Sequence, residues 1–124
     1  MPVVPSSLDC LLSLFAGAFR APVFETFRML VVGFVCRVGE HSVCGMLQGA
    51  RLGRVWHHSR GHSFFSERNW SADKLGMLLL ALVVATFVPA DQPIRLAVDD
   101  TLFTRWGRRV HGAAWQYDGS KPAG

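Results

Sequence analysis

The run from Leu75 to Ala90 holds sixteen consecutive residues without a charge, and no other feature narrows the architecture as far. As a helix it would rise about 1.5 Å per residue, roughly 24 Å in all, short of the roughly 30 Å hydrocarbon layer of a bilayer. It also closes on Pro89 with Asp91 just behind, where membrane spans favour aromatic and basic anchors. A helix buried in a core is therefore the expectation, and a small membrane-associated helical protein built around residues 75–90 is the rival. Leu11 to Phe19 is a second apolar run, but no Lys or Arg precedes it and Asp9 interrupts its approach, which speaks against a signal peptide.

The residues before position 90 read as helical throughout. Ser6 or Ser7 can cap a helix in which Leu8, Leu11, Leu12, Phe15 and Phe19 recur at steps of three and four. Pro22 suits the first turn of a second helix running to about Cys36. A break at Arg37 to His41, with Gly39 free to turn left-handed, leads to a third helix begun by Ser42. Trp56 to Phe65 forms a short fourth helix, and Ser71 caps the long fifth one, with Asp73 near its positive end. After Pro93 the pattern changes. Ile94 to Asp100 reads as a strand, Leu102 to Gly107 as a turn, and Arg108 to Tyr117 as a second strand able to pair antiparallel with the first.

A chain of 124 residues, half of them hydrophobic, can bury one ordinary core and is not disordered. Eleven of its thirteen basic residues are arginine, and the net charge is +4. Arginine makes forked contacts to phosphate, so an anionic partner is mildly favoured. Three cysteines, Cys10, Cys36 and Cys44, are odd in number and not closely paired. They read as a reduced set in a cytoplasmic setting rather than as a disulfide framework.

The first strand delivers Asp99 and Asp100, followed by Thr101. Carboxylates at a rigid strand end suit a hard divalent cation, although acid pairs also serve turns by accepting local backbone hydrogen bonds. Alternation does not choose between them, since Ile94, Leu96, Val98 and Asp100 share one face and Arg95, Ala97 and Asp99 the other.

From Arg37 through Gly119 the segments HSVCGMLQGARLGRVWHHSRGHSFFSERNWSADKLGMLLLALV and LAVDDTLFTRWGRRVHGAAWQYDGS resemble the front portion of DDE-type insertion-sequence transposases. The Asp-Asp-Thr element, its basic loop and Gln116-Tyr117-Asp118-Gly119 carry the resemblance most specifically. It implies an α+β chain, with a helical N-terminal bundle over 1–90 that has a DNA-binding role. Over 91–124 it implies the first two antiparallel strands of an RNase H-like catalytic domain. It implies DNA transposition through metal-dependent strand cleavage and transfer, with Asp99 as the first acid of an Asp, Asp, Glu triad and as metal ligand, and Asp100 as competitor. Two Mg2+ or Mn2+ ions would then activate water or a 3'-hydroxyl. The other two acids lie far downstream in the family, and Glu25, Glu40 and Glu67 precede the strand. The expectation is thus a truncated fragment, inactive alone, with transposon-end DNA as partner and a homo-oligomer allowed.

No acid lies between Glu40 and Glu67, where Arg51, Arg54 and Arg60 gather with His57, His58, His62 and Trp56. This is a candidate DNA-backbone surface, as are Arg105, Arg108 and Arg109 around the second strand. Such runs also serve simply as solvated faces. The second and third helices have the spacing of a helix-turn-helix, though the third is poor in groove-reading polar residues beyond Gln48, and a DNA-binding regulator made of the helical part alone is a further alternative. Cys36, Cys44, His58 and His62 contain a His-x3-His at a helical step suited to zinc; the apolar neighbours of both thiols point instead to core cysteines.

Overall fold

A computed structural model describes residues 4–67 and 69–99. Five α-helices follow one another: α1 (Ser6–Ser13), α2 (Ala21–Cys36), α3 (Val43–Gly49), α4 (His58–Ser66) and α5 (Ala72–Phe87), with a 3-10 turn at Ala16–Ala18 between the first two. The chain divides into two units, Met1–Gln92 and Pro93–Gly124.

Local sequence accounts for most helix starts. Pro22 lies in the first turn of α2, where its missing N–H costs nothing and its fixed φ favours the helix. Ser42 Oγ accepts from the Gly45 N–H at 3.1 Å to cap α3, and Ser71 Oγ accepts from the Lys74 N–H at 3.2 Å to cap α5. Gly39 has φ +106 in the loop between α2 and α3, a conformation that side-chain-bearing residues resist. The start of α1 differs from the sequence reading. Pro5 occupies the cap with no side-chain hydrogen bond, and the helix stops at Ser13 rather than running to Phe19. The 3-10 turn that follows swings Phe19 into an aromatic cluster, its ring 4.7 Å from Phe27, 5.9 Å from Trp70 and 6.1 Å from Phe64.

The core sits where α2, α3 and α4 meet. Met29, Leu47 and Leu52 are the largest side chains removed completely from solvent, and Leu12, Leu30, Val32 and Phe64 pack with them. Each such burial contributes about 1.5–3 kcal/mol. Arg28 joins α1 to α2 by pairing with Asp9, and within α2 it pairs with Glu25 at 3.1 Å.

Three expectations are corrected. The α+β class is not realised among the described residues, which hold helices and no strand. Residues 94–99 run without secondary structure, with Ile94, Leu96 and Val98 exposed; a strand is defined by a neighbour that takes its N–H and C=O groups, and alternation supplies none. The second expected strand, Arg108–Tyr117, lies outside the described residues. The apolar fifth helix is not a core helix, for α5 has no buried residue, and Met77, Leu79, Leu80, Val83 and Phe87 are exposed. Composition reports that a surface is apolar, not that another element covers it. Nor are Cys36 and Cys44 core residues: both are free and exposed, as is Cys10. No helix among the described residues is long and apolar enough to cross a membrane.

Candidate nucleic-acid interface

The basic segment expected to face phosphate forms the α3–α4 connection and the first turns of α4. Its backbone is set by the way α3 ends. The Leu52 N–H donates to the Leu47 carbonyl at 2.8 Å, and the Arg51 N–H donates to the Gln48 carbonyl at 2.9 Å. This is the Schellman pattern, in which the residue just past the helix turns left-handed. Arg51 holds that position with φ 56, where glycine is the unstrained occupant. Leu52 then enters the core, and Arg51 and Arg54 are left exposed.

Arg60 is the basic residue of this segment that the fold holds by named contacts. Its guanidinium carbon stands 3.5 Å from the centroid of the Trp56 ring, close enough for cation–π attraction. Its Nε donates to Thr26 Oγ1 at 2.9 Å. Thr26 is nearly buried, and its hydroxyl in turn donates to the Pro22 carbonyl one turn back in α2 at 3.1 Å. The guanidinium is therefore positioned by two elements. Among the described residues no carboxylate forms an ion pair with it, so its two Nη groups remain available.

Arg60 also borders a cleft of about 370 Å³ lined by α2, α4 and the segment that follows α4. Thr26 and Arg60 form one side, Phe64 and Trp70 the apolar wall, and Glu67 and Asn69 the polar rim. The wall is fixed by ring stacking, with centroids 5.1 Å apart and planes 18° from parallel, and by the Trp70 Nε1–H, which donates to the Phe64 carbonyl at 2.9 Å. Asn69 Nδ2 approaches Glu67 Oε2 at 3.4 Å.

The sequence marks Arg60 and Trp56 but not Thr26, Glu67, Asn69 or Trp70 as their neighbours. Trp56 lies four residues before Arg60, so helical spacing could have signalled that pair. Thr26 is 34 residues away, and nothing local signals it.

The remaining candidates are more scattered. Cys44 Sγ lies 4.0 Å from His62 Nε2, and the His58 and His62 rings meet edge to face at 5.9 Å, but Cys36 does not join them. Among the described residues no group of three or more His, Cys, Asp or Glu is assembled that could hold a metal ion. Asp99 is exposed on the segment after α5, where it offers one hard oxygen donor of the kind Mg2+ or Mn2+ prefers. One carboxylate does not constitute such a site, and no catalytic step through a metal follows from the described residues. Asp100, Arg105, Arg108 and Arg109 lie outside them.

No curated protein matches the chain, and no solved structure does. The family model for DDE superfamily endonucleases matches residues 13–123, a span that takes in α2 to α5, the arginine segment and Asp99. Members of this superfamily are nucleases that act on DNA and generally use divalent metals. By that match, which covers most of its length, the chain belongs to the DDE superfamily endonucleases.

Proposed function

We propose that the chain serves DNA transposition, with the helical unit holding transposon-end DNA through its phosphates and Asp99 contributing the first carboxylate of the metal-dependent cleavage and strand-transfer site. The family match supports the reaction class. The observation that carries the DNA-holding role is Arg60, whose fork is oriented by Trp56 and Thr26 and faces no carboxylate partner among the described residues. A pre-positioned arginine loses less side-chain freedom when it meets a phosphate oxygen than a mobile one does. Arg51 adds to the reading. A cationic side chain placed where glycine would be unstrained is a cost of order 1–3 kcal/mol that function can explain and packing does not, because Arg51 is exposed.

Mg2+ or Mn2+ is the ion class suited to the Asp99 carboxylate. Arg105, Arg108 and Arg109, together with Asp100 as the competing acid, belong to the same proposal. Fluorescence anisotropy with a labelled duplex across a salt series tests the DNA-holding role. Binding should weaken linearly in log salt, and Arg60→Ala should lower affinity about tenfold and reduce the slope by about 0.9, the loss of one phosphate contact. Unchanged affinity and slope in Arg60→Ala would remove the anchored-arginine argument.

A further inference from the structure

We infer that the cleft beside Arg60 receives the base of an unpaired DNA nucleotide, guanine in preference to thymine, with the adjoining phosphate on Arg60. The inference rests on the DNA-holding reading above and adds what the cleft itself recognises.

The occupant is constrained by three demands that must be met together. Arg60 has two Nη groups that pair with no carboxylate among the described residues and can meet negative charge. Phe64 and Trp70 present a stacked apolar wall, which calls for a flat or apolar body. Glu67 presents a carboxylate at the rim, which calls for hydrogen-bond donors and repels further anions. Inorganic phosphate meets only the first demand. A duplex backbone meets the first as well but brings no unpaired base to the apolar wall or to Glu67. An acidic peptide carries charge but opposes Glu67.

A nucleotide meets all three. Its phosphate suits the arginine fork, its base has apolar faces, and its edge carries N–H groups. Guanine aligns N1–H and N2–H on one side, the arrangement that two carboxylate oxygens accept in parallel, whereas thymine offers N3–H alone. In a duplex that edge is occupied by the pairing base, so the nucleotide in the cleft has to be unpaired. The cleft volume of about 370 Å³ falls at the small end of the roughly 300–1,000 Å³ typical of small-ligand sites, the end suited to one nucleotide and not several. Asn69 supplies a further donor and acceptor, and its amide close to Glu67 orients the carboxylate.

The experiment uses the full chain and fluorescently labelled hairpin duplexes of equal length that end blunt or carry one overhanging residue: dG, dT or an abasic sugar. At fixed ionic strength the dG overhang should bind about tenfold tighter than the abasic one, with dT close to abasic. Glu67→Gln should abolish the dG-over-dT preference, because the neutral amide no longer offers two acceptor oxygens to the aligned N1–H and N2–H. Equal binding of dG and abasic overhangs overturns the inference even where blunt duplex is bound and the DNA-holding role stands. Failure to bind any of the duplexes defeats that role instead. A dG preference that survives Glu67→Gln overturns the assignment of the base edge to this cleft.

Discussion

Gly33 of α2 lies directly against the Met46 backbone of α3: a Cβ on Gly33 would overlap the Met46 carbonyl oxygen, and one on Gly49 would overlap the Gly33 carbonyl oxygen. The two helices therefore meet backbone to backbone. Gly33→Ala should cost about 1–3 kcal/mol or more, because backbone cannot yield as a flexible side chain can. Gly76→Ala in α5, which meets nothing within 4 Å, should be neutral or add up to about 1 kcal/mol of helix propensity. Urea denaturation followed by circular dichroism separates the two, and similar midpoints for both variants would refute the close-approach account.

Arg51 makes the opposite case. Arg51→Gly relieves a left-handed backbone and should leave stability unchanged or raise it by up to about 1 kcal/mol, while lowering duplex affinity by the loss of one cation. Melting temperature and anisotropy read the two effects on the same sample. A clear destabilisation would mean that the arginine side chain has a structural task.

Trp56 is expected to act through Arg60. Trp56→Leu should weaken duplex binding about threefold, in line with the ~0.5–1 kcal/mol of an exposed cation–π pair. In the Arg60→Ala background it should add almost nothing. A double-mutant cycle in which the two losses simply add would show that Trp56 does not orient the guanidinium.

The exposure of α5 gives a contrast between two equally apolar sites. Leu80→Lys should change folding stability by no more than about 0.5 kcal/mol and reduce light scattering by the concentrated protein. Leu47→Ala, in the core, should cost about 2–5 kcal/mol. A Leu80→Lys loss comparable to that of Leu47→Ala would contradict the surface position of α5.

For the proposed metal ligand, a single carboxylate gives only weak contact with a hard cation, so paramagnetic line broadening of the neighbouring amides by added Mn2+ should lessen more in Asp99→Asn than in Asp100→Asn. The reverse order would transfer the role to Asp100.

Much of the helical framework was legible in the chain because its signals are local. Pro22, Gly39, Ser42 and Ser71 act within a few residues of where they stand, and the helices they begin or separate are found there. Ser6 and Ser7 misled for the same reason. Capping chemistry was present, but α1 took Pro5 as its cap and stopped early, leaving Phe19 to join Phe27, Phe64 and Trp70. Ile94 to Val98 shows what alternation leaves undecided, since the pattern describes one strand edge and says nothing of a second chain segment to pair with it.

The sequence by itself determined the order of helices, the arginine-rich segment between Glu40 and Glu67, and membership of a nuclease superfamily, because caps, breaks, charge and family motifs are written in consecutive residues. Only the tertiary structure decided that α5 keeps its apolar surface exposed while α2, α3 and α4 form the core. Only it placed Thr26 beside Arg60 and opened a cleft next to them. Burial and side-chain orientation are properties of what packs against a residue, and those partners lie tens of positions away, where periodicity and spacing carry no information.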